Sequence, residues 1–181
     1  MKSPQRLPGD ATPKIETERA IRVDHAGEYG AVRIYEGQLA VLGASPVAEP
    51  IRHMAEQERA HLATFDALLV ERRVRPTALG PLWHVAGFAM GAGTALLGAK
   101  AAMACTAAVE DVIDGHYGRQ VARLAAHDPA LCTTLARCQA DEADHRETAL
   151  AHGAEEAPGY PVLRAGISAA TRAAIWLSER V

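Results

Sequence analysis

This chain has little of what would staple, anchor or steer it. Its 181 residues include three cysteines, Cys105, Cys132 and Cys138, with no Cys-x-x-Cys spacing. That excludes an even disulfide framework and a rubredoxin-type iron module, and it suits a reducing compartment. Aromatic residues make up 4% of the chain. Few rings and abundant Ala suit closely packed helices. A net charge of -3 argues against nucleic acid or strongly acidic partners. No Gly-x-Gly-x-x-Gly occurs, so a Rossmann site for a dinucleotide is not expected. The start of the chain carries Pro4, Pro8 and Pro13 among polar neighbours. It lacks the apolar run of a signal peptide and the Arg/Ser-rich amphipathic run of a transit peptide. Residues 1–14 are expected to be a disordered lead-in to one domain over 15–181, long enough for a bundle core.

What is present is one pattern, twice. Glu28 is followed about thirty residues later by Glu58-Arg59-Ala60-His61, and Glu110 by Glu142-Ala143-Asp144-His145. Residues three apart on a helix stand one turn apart on one face, so both side chains of a Glu-x-x-His can reach one metal. Chance supplies roughly 0.6 such tetrads at average composition; the partnered Glu residues are what raise the signal. The midpoint of Glu28 and Glu58 falls in Gly43-Ala44-Ser45-Pro46, a turn cluster. The midpoint of Glu110 and Glu142 falls beside His127-Asp128-Pro129. In an antiparallel hairpin, residues equidistant from the turn lie level, here about 22 Å up each helix. Four carboxylates and two imidazoles so placed are the ligand set of a di-iron carboxylate site in a four-helix bundle.

The expected fold is all-α. A first helix spans about 15–42, and a second follows Pro46 and ends near 73, before Arg75-Pro76. A third carries Glu110 to about 126, and a fourth runs from after Pro129 to about 152. A loop at 155–161 precedes an amphipathic helix at about 162–179. Two hairpins with the same ligand order give an antiparallel four-helix bundle with one long crossover, the ferritin-like connection.

The crossover is apolar. Residues 82–99 hold no Asp, Glu, Lys or Arg, which reaches the length of a membrane-span candidate. A span would put the two hairpins on opposite sides of a bilayer, although their ligands must meet. Two readings remain. In one, an interfacial helix dips into one leaflet, with Lys100 snorkelling at its end. In the other, a crossover helix is buried against the bundle through its small residues. Trp176, Arg164, Arg172 and Arg180 on the last helix could join a lipid surface.

The string from Ile21 to Ala31, Ile-Arg-Val-Asp-His-Ala-Gly-Glu-Tyr-Gly-Ala, resembles the first-helix signature of the demethoxyubiquinone hydroxylases of ubiquinone biosynthesis. Residues 110–117, 141–145 and 177–180 resemble that family too. The resemblance implies a membrane-associated, ferritin-like di-iron monooxygenase that hydroxylates the ring of demethoxyubiquinol in the penultimate step of the pathway. It implies two Fe ions at Glu28, Glu58, His61, Glu110, Glu142 and His145, dioxygen as co-substrate and NADH as electron donor. It also implies a peripheral place at the cytoplasmic face of a bacterial membrane, or at the matrix side of the inner mitochondrial membrane for a processed eukaryotic form. Other ubiquinone-biosynthesis proteins and a second copy of the chain are candidate partners.

Around this set, Tyr117 lies two turns after Glu110 on the same face, as a ring contact, an electron relay or a core Tyr. His116 could donate to substrate or lie at the surface. Arg19 and Arg172 resemble family positions near quinone or nicotinamide. Asp24 and Asp114, each one turn from a ligand Glu, could orient the ligand histidines. Iron oxidation or storage, as in ferritin-like proteins, shares the ligands but needs no membrane surface. A non-catalytic interaction module would use the apolar crossover as a docking face.

Overall fold

Six helices form around the ligand-bearing segments in a computed structural model that describes residues 11–181: α1 (Pro13–Leu42), α2 (Ala48–Arg72), α3 (Gly80–Leu96), α4 (Ala99–Leu124), α5 (Pro129–Ala151) and α6 (Tyr160–Ser178). A short 3₁₀ turn (Ala154–Glu156) precedes α6. Helices α1 and α2 pack as one hairpin and α4 and α5 as another, and α1–α4 and α2–α5 contacts join them into the four-helix core. Helix α3 lies chiefly along α1, and α6 along α4.

The ends of the helices follow local chemistry. Thr12 Oγ1 accepts from the Ile15 N–H, with Pro13 in the first turn of α1. The disordered lead-in expected at 1–14 lies outside the described residues up to position 10, while Pro13 and Lys14 are already helical. Helix α2 ends at Arg73, whose left-handed φ of 54° lets it and Val74 bond back to the Val70 and Leu69 carbonyls. Asp128 caps α5 by accepting from the Leu131 N–H at 3.1 Å.

The apolar run at 82–99 is two elements. Gly98, at φ 109°, makes a break that a residue with a Cβ would strain to adopt. The run therefore splits into α3 and the first residue of α4. Helix α3 buries Gly87, Gly91, Thr94 and Ala95. A Cβ on Gly91 would fall inside the Ile34 carbonyl, and one on Gly37 inside the Phe88 carbonyl. The two backbones meet there because neither residue has a side chain. The opposite face of α3 leaves Leu82, Val85 and Leu96 exposed, so the crossover is packed through small residues on one side and apolar outward on the other. No helix among the described residues is long and apolar enough to cross a membrane.

Two cations expected at a lipid surface have protein partners. Lys100 is held by Glu156, 2.5 Å from its carboxylate, and Arg164 by Asp111 at 3.0 Å. Each cation pairs with an acid on a packed neighbour and stays about half exposed. Trp176 is exposed, with the Arg180 guanidinium 4.2 Å over its ring.

Candidate metal centre

The helical periods of α1, α2, α4 and α5 turn Glu28, Glu58, His61, Glu110, Glu142 and His145 into the bundle interior, each 1–4% exposed. Their donor atoms form two sets of four. Glu28, Glu58, His61 and Glu142 offer atoms within 4.8 Å of one another, and so do Glu58, Glu110, Glu142 and His145. Glu58 and Glu142 belong to both sets.

Four buried carboxylates need positive charge, because taking an anion out of water costs far more than a neutral group. Among the described residues, their only ion-pair partners are the two imidazoles. Both oxygens of Glu58, Oε2 of Glu110 and of Glu142, and Nδ1 of His61 and of His145 are buried without a hydrogen-bond partner. Burial, then the charges of Glu142 and Glu28, pushes the Glu58 carboxyl well above its usual range. Burial and Glu142 do the same to Glu110. Burial also opposes charge on Glu142 and His61, but their attraction to each other, to His145 and to Glu28, with the Asp141 hydrogen bond to His61, outweighs it. Glu142 is held down to about 2 and His61 up to about 11. The cluster fits divalent cations: orphaned hard oxygens and nitrogens converge where protons alone now balance the charge.

The histidines are aimed by neighbours across the bundle. His61 turns Nδ1 inward while its Nε2 meets Asp141 at 2.9 Å. His145 does the same with Gln57 at 3.1 Å. Asp24 and Asp114 were expected to orient these rings. The structure gives that role to Asp141 and Gln57 instead, because Asp114 faces Gln139 and Asp24 faces α4. The sequence carried a signal: Gln57 and Asp141 each directly precede the Glu of a Glu-x-x-His.

The two halves repeat further. Tyr35 stands seven residues after Glu28, and Tyr117 seven after Glu110. Tyr35 donates to Glu110 at 2.9 Å and Tyr117 to Glu28, so each hairpin's tyrosine holds the other's glutamate. Cys138 Sγ also lies within 4.8 Å of donor atoms of Glu28 and His61. Burial pushes its thiol well up, so it is a neutral packing group without the thiolate that metals prefer.

A cavity of about 190 Å³ adjoins the cluster, walled by α1, α3, α4 and α6 and reaching Glu28 and Tyr117. Its surface is mostly aliphatic: Val23, Ile34, Met90, Val109, Ile113 and Ile175 contribute. His116 lines it as well. Arg19 and Arg172 are exposed and stand outside its wall. Asp24 is buried, and its desolvation raises its carboxyl to about 6 against the nearby His116 imidazole and the Gln120 hydrogen bond.

Residues 15–178 match the family described as ubiquinone biosynthesis protein COQ7. The chain is 58% identical over 177 residues to a 3-demethoxyubiquinol 3-hydroxylase of Rhodospirillum rubrum, covering 97% of this chain and 84% of that protein. It is 51% identical over 176 residues to the human mitochondrial NADPH-dependent 3-demethoxyubiquinone 3-hydroxylase, covering 95% and 81%. It is 44% identical over 181 residues to the mitochondrial 5-demethoxyubiquinone hydroxylase of Saccharomyces cerevisiae, covering 91% and 78%.

Proposed function

The chain belongs to the ubiquinone biosynthesis protein COQ7 family, and from that premise we propose that it hydroxylates the ring of a demethoxyubiquinol with dioxygen, at two iron ions held by Glu28, Glu58, His61, Glu110, Glu142 and His145. The observation that carries the proposal is the pair of overlapping donor quartets, with orphaned buried atoms, beside an apolar cavity. Glu58 and Glu142, common to both quartets, would help hold both ions. Glu28 with His61 and Glu110 with His145 would complete one ion each. Iron bound there would supply the activation of dioxygen that side chains cannot provide.

The remaining work belongs to the protein. Asp141 and Gln57 fix the imidazole orientations, keeping Nδ1 free for metal. Tyr35 and Tyr117 fix Glu110 and Glu28. The aliphatic cavity admits a ring and excludes water beside Glu28. The exposed residues of α3 and α6 give the protein reason to rest on a membrane surface, where an isoprenoid quinone resides. In the balanced reaction one oxygen atom enters the ring and the other leaves as water, with two electrons from a reduced nicotinamide and two protons. The sequence resemblance implies NADH, whereas relatives carry NADPH in their names, so both are to be compared.

Iron storage would have no use for an apolar chamber at the cluster. The test supplies labelled dioxygen, NADH or NADPH, and a short-chain demethoxyubiquinone to the iron-loaded protein. Label in the new ring hydroxyl is expected. Normal iron oxidation without a ring product would overturn the proposal in favour of storage.

A further inference from the structure

The internal repeat provides its own control for one buried network. Ten residues after each of Glu28 and Glu110 stands a glutamine, Gln38 or Gln120, and each reaches the residue four before the other hairpin's glutamate. Gln38 Nε2 donates to Thr106 Oγ1 at 3.2 Å and to the Ala102 carbonyl at 3.1 Å. Gln120 Nε2 donates to Asp24 Oδ1 at 2.8 Å and lies 2.9 Å from His116 Nε2. The bridge itself is common to both halves and ties α1 to α4. Only one half adds an acid and an imidazole: Asp24 corresponds to Thr106, and His116 to Ile34. Those two additions both line the cavity.

An ionised Asp24 tolerates only one orientation of the Gln120 amide, with its –NH₂ toward the carboxylate, since the carbonyl end would set oxygen against oxygen. The second N–H then points to His116 Nε2. Nε2 lies 2.9 Å from this amide and 3.4 Å from Asp24 Oδ1, so the amide is its closer partner; a nitrogen that accepts that hydrogen bond is bare, and the ring hydrogen sits on Nδ1. That nitrogen has no partner among the described residues.

Three other polar hydrogens on the wall are committed: Trp83 Nε1 donates to Ser178, Thr171 to the Ile167 carbonyl and Tyr117 to Glu28. The Ser178 hydroxyl accepts from Trp83 at the cavity edge. Resting on the function proposed above, we infer that Asp24 and Gln120 are positioning residues that lock His116 as an Nδ1–H donor for a ring oxygen of the quinone. The cavity thereby gains a directed donor in a mostly aliphatic wall, which orients a ring without binding the tail more tightly.

The test uses the full chain loaded with Zn(II), which is diamagnetic and does not turn over. Nitrogen-15 shifts of the His116 imidazole at pH 8 are expected to show hydrogen on Nδ1 in the wild type and a mixture of tautomers in Gln120→Met. Hydrogen on Nε2 in the wild type, or an unchanged tautomer in Gln120→Met, would overturn the inference. Binding of a short-chain demethoxyubiquinone, read by quenching of tryptophan fluorescence, is expected to weaken roughly tenfold in His116→Phe, the loss of one hydrogen bond. Binding of a ring-free isoprenoid hydrocarbon should not change. Asp24→Asn, which keeps the shape of the site, should weaken quinone binding by a smaller factor. If the wild type binds the quinone and His116→Phe binds it equally well, the inference fails and the proposed function stands. If the wild type binds no quinone, both fail.

Discussion

Replacing Asp141 with Asn removes a charge that holds the His61 imidazole from behind while leaving its shape. The Asp141 carboxylate accepts from His61 Nε2 at 2.9 Å, which makes Nδ1 a stronger donor to a cation. Partners of this kind are worth about 10- to 100-fold in metal affinity. The Asp141 side chain is 32% exposed, so solvent screens part of its charge and the low end applies. The expected loss is about tenfold, or about 1.4 kcal/mol, in one of two binding steps. His145 has the neutral Gln57 in the equivalent place, and its step should keep its affinity. Gln57→Glu should strengthen that second step. Anaerobic chelator competition with Fe(II) resolves the two constants. Equal losses in both steps of Asp141→Asn, or none in either, would refute the reasoning, because the structure connects Asp141 to one quartet's histidine only.

Glu142→Ala should abolish tight binding of both ions, whereas Glu28→Ala should leave one, since Glu142 belongs to both quartets and Glu28 to one; metal analysis after desalting decides. Asp24→Asn should stabilise the metal-free protein in a pH-dependent way. Its carboxyl is raised from 3.8 to about 6, so the favourable protonated state is fully available below 3.8, and its contribution is lost as pH rises through about 6. The gain from Asn should therefore grow between pH 4 and 6 and level off above, at no more than roughly 3 kcal/mol, because each tenfold change in proton affinity is worth about 1.4 kcal/mol. Urea unfolding of both proteins across pH 4.5–8 measures it, and a constant gap would refute it. Replacing the exposed Leu82 and Val85 of α3 with Ser should release the protein from liposomes in flotation by about tenfold or more, given roughly 1 kcal/mol or more for each apolar side chain withdrawn from lipid; equal flotation would remove α3 from the membrane contact.

The convergence of the six Glu and His side chains was legible because it depends on quantities a sequence displays: a three-residue step on a helix and equal distances from two turn clusters. Pro46, Pro76 and Pro129 marked helix boundaries for the same local reason. The histidine supports were less legible. From one helix alone, Asp24 is as plausible a support as Asp141. Only the rotation of α5 against α2 brings Asp141 to His61 and leaves Asp24 with Gln120 and His116. The break at Gly98 hid inside an apolar run because a glycine among glycines carries no sign of which one takes a positive φ. The pairing of Lys100 with Glu156 depends on the turn before α6 folding back against α4, contact between residues 56 positions apart.

The doubled pattern also leaves the two ends of the cluster unlike. A symmetric pair of hairpins would present two equivalent glutamates. Here Tyr35, which holds Glu110, sits in a core cluster with Ile51, Met54 and Met103, so that end is sealed by packing. Tyr117, which holds Glu28, borders the cavity, as Glu28 does. The difference comes from what lies on each hairpin. Helix α3 meets α1 through the side-chain-free contacts at Gly37, Gly87 and Gly91, and α6 lies on α4. The two walls leave the space beside Glu28 lined by aliphatic residues and filled by none of them. On the proposed function, that is the side from which a ring would reach Glu28. Asp24 and His116, the polar departures from the repeat, line that side.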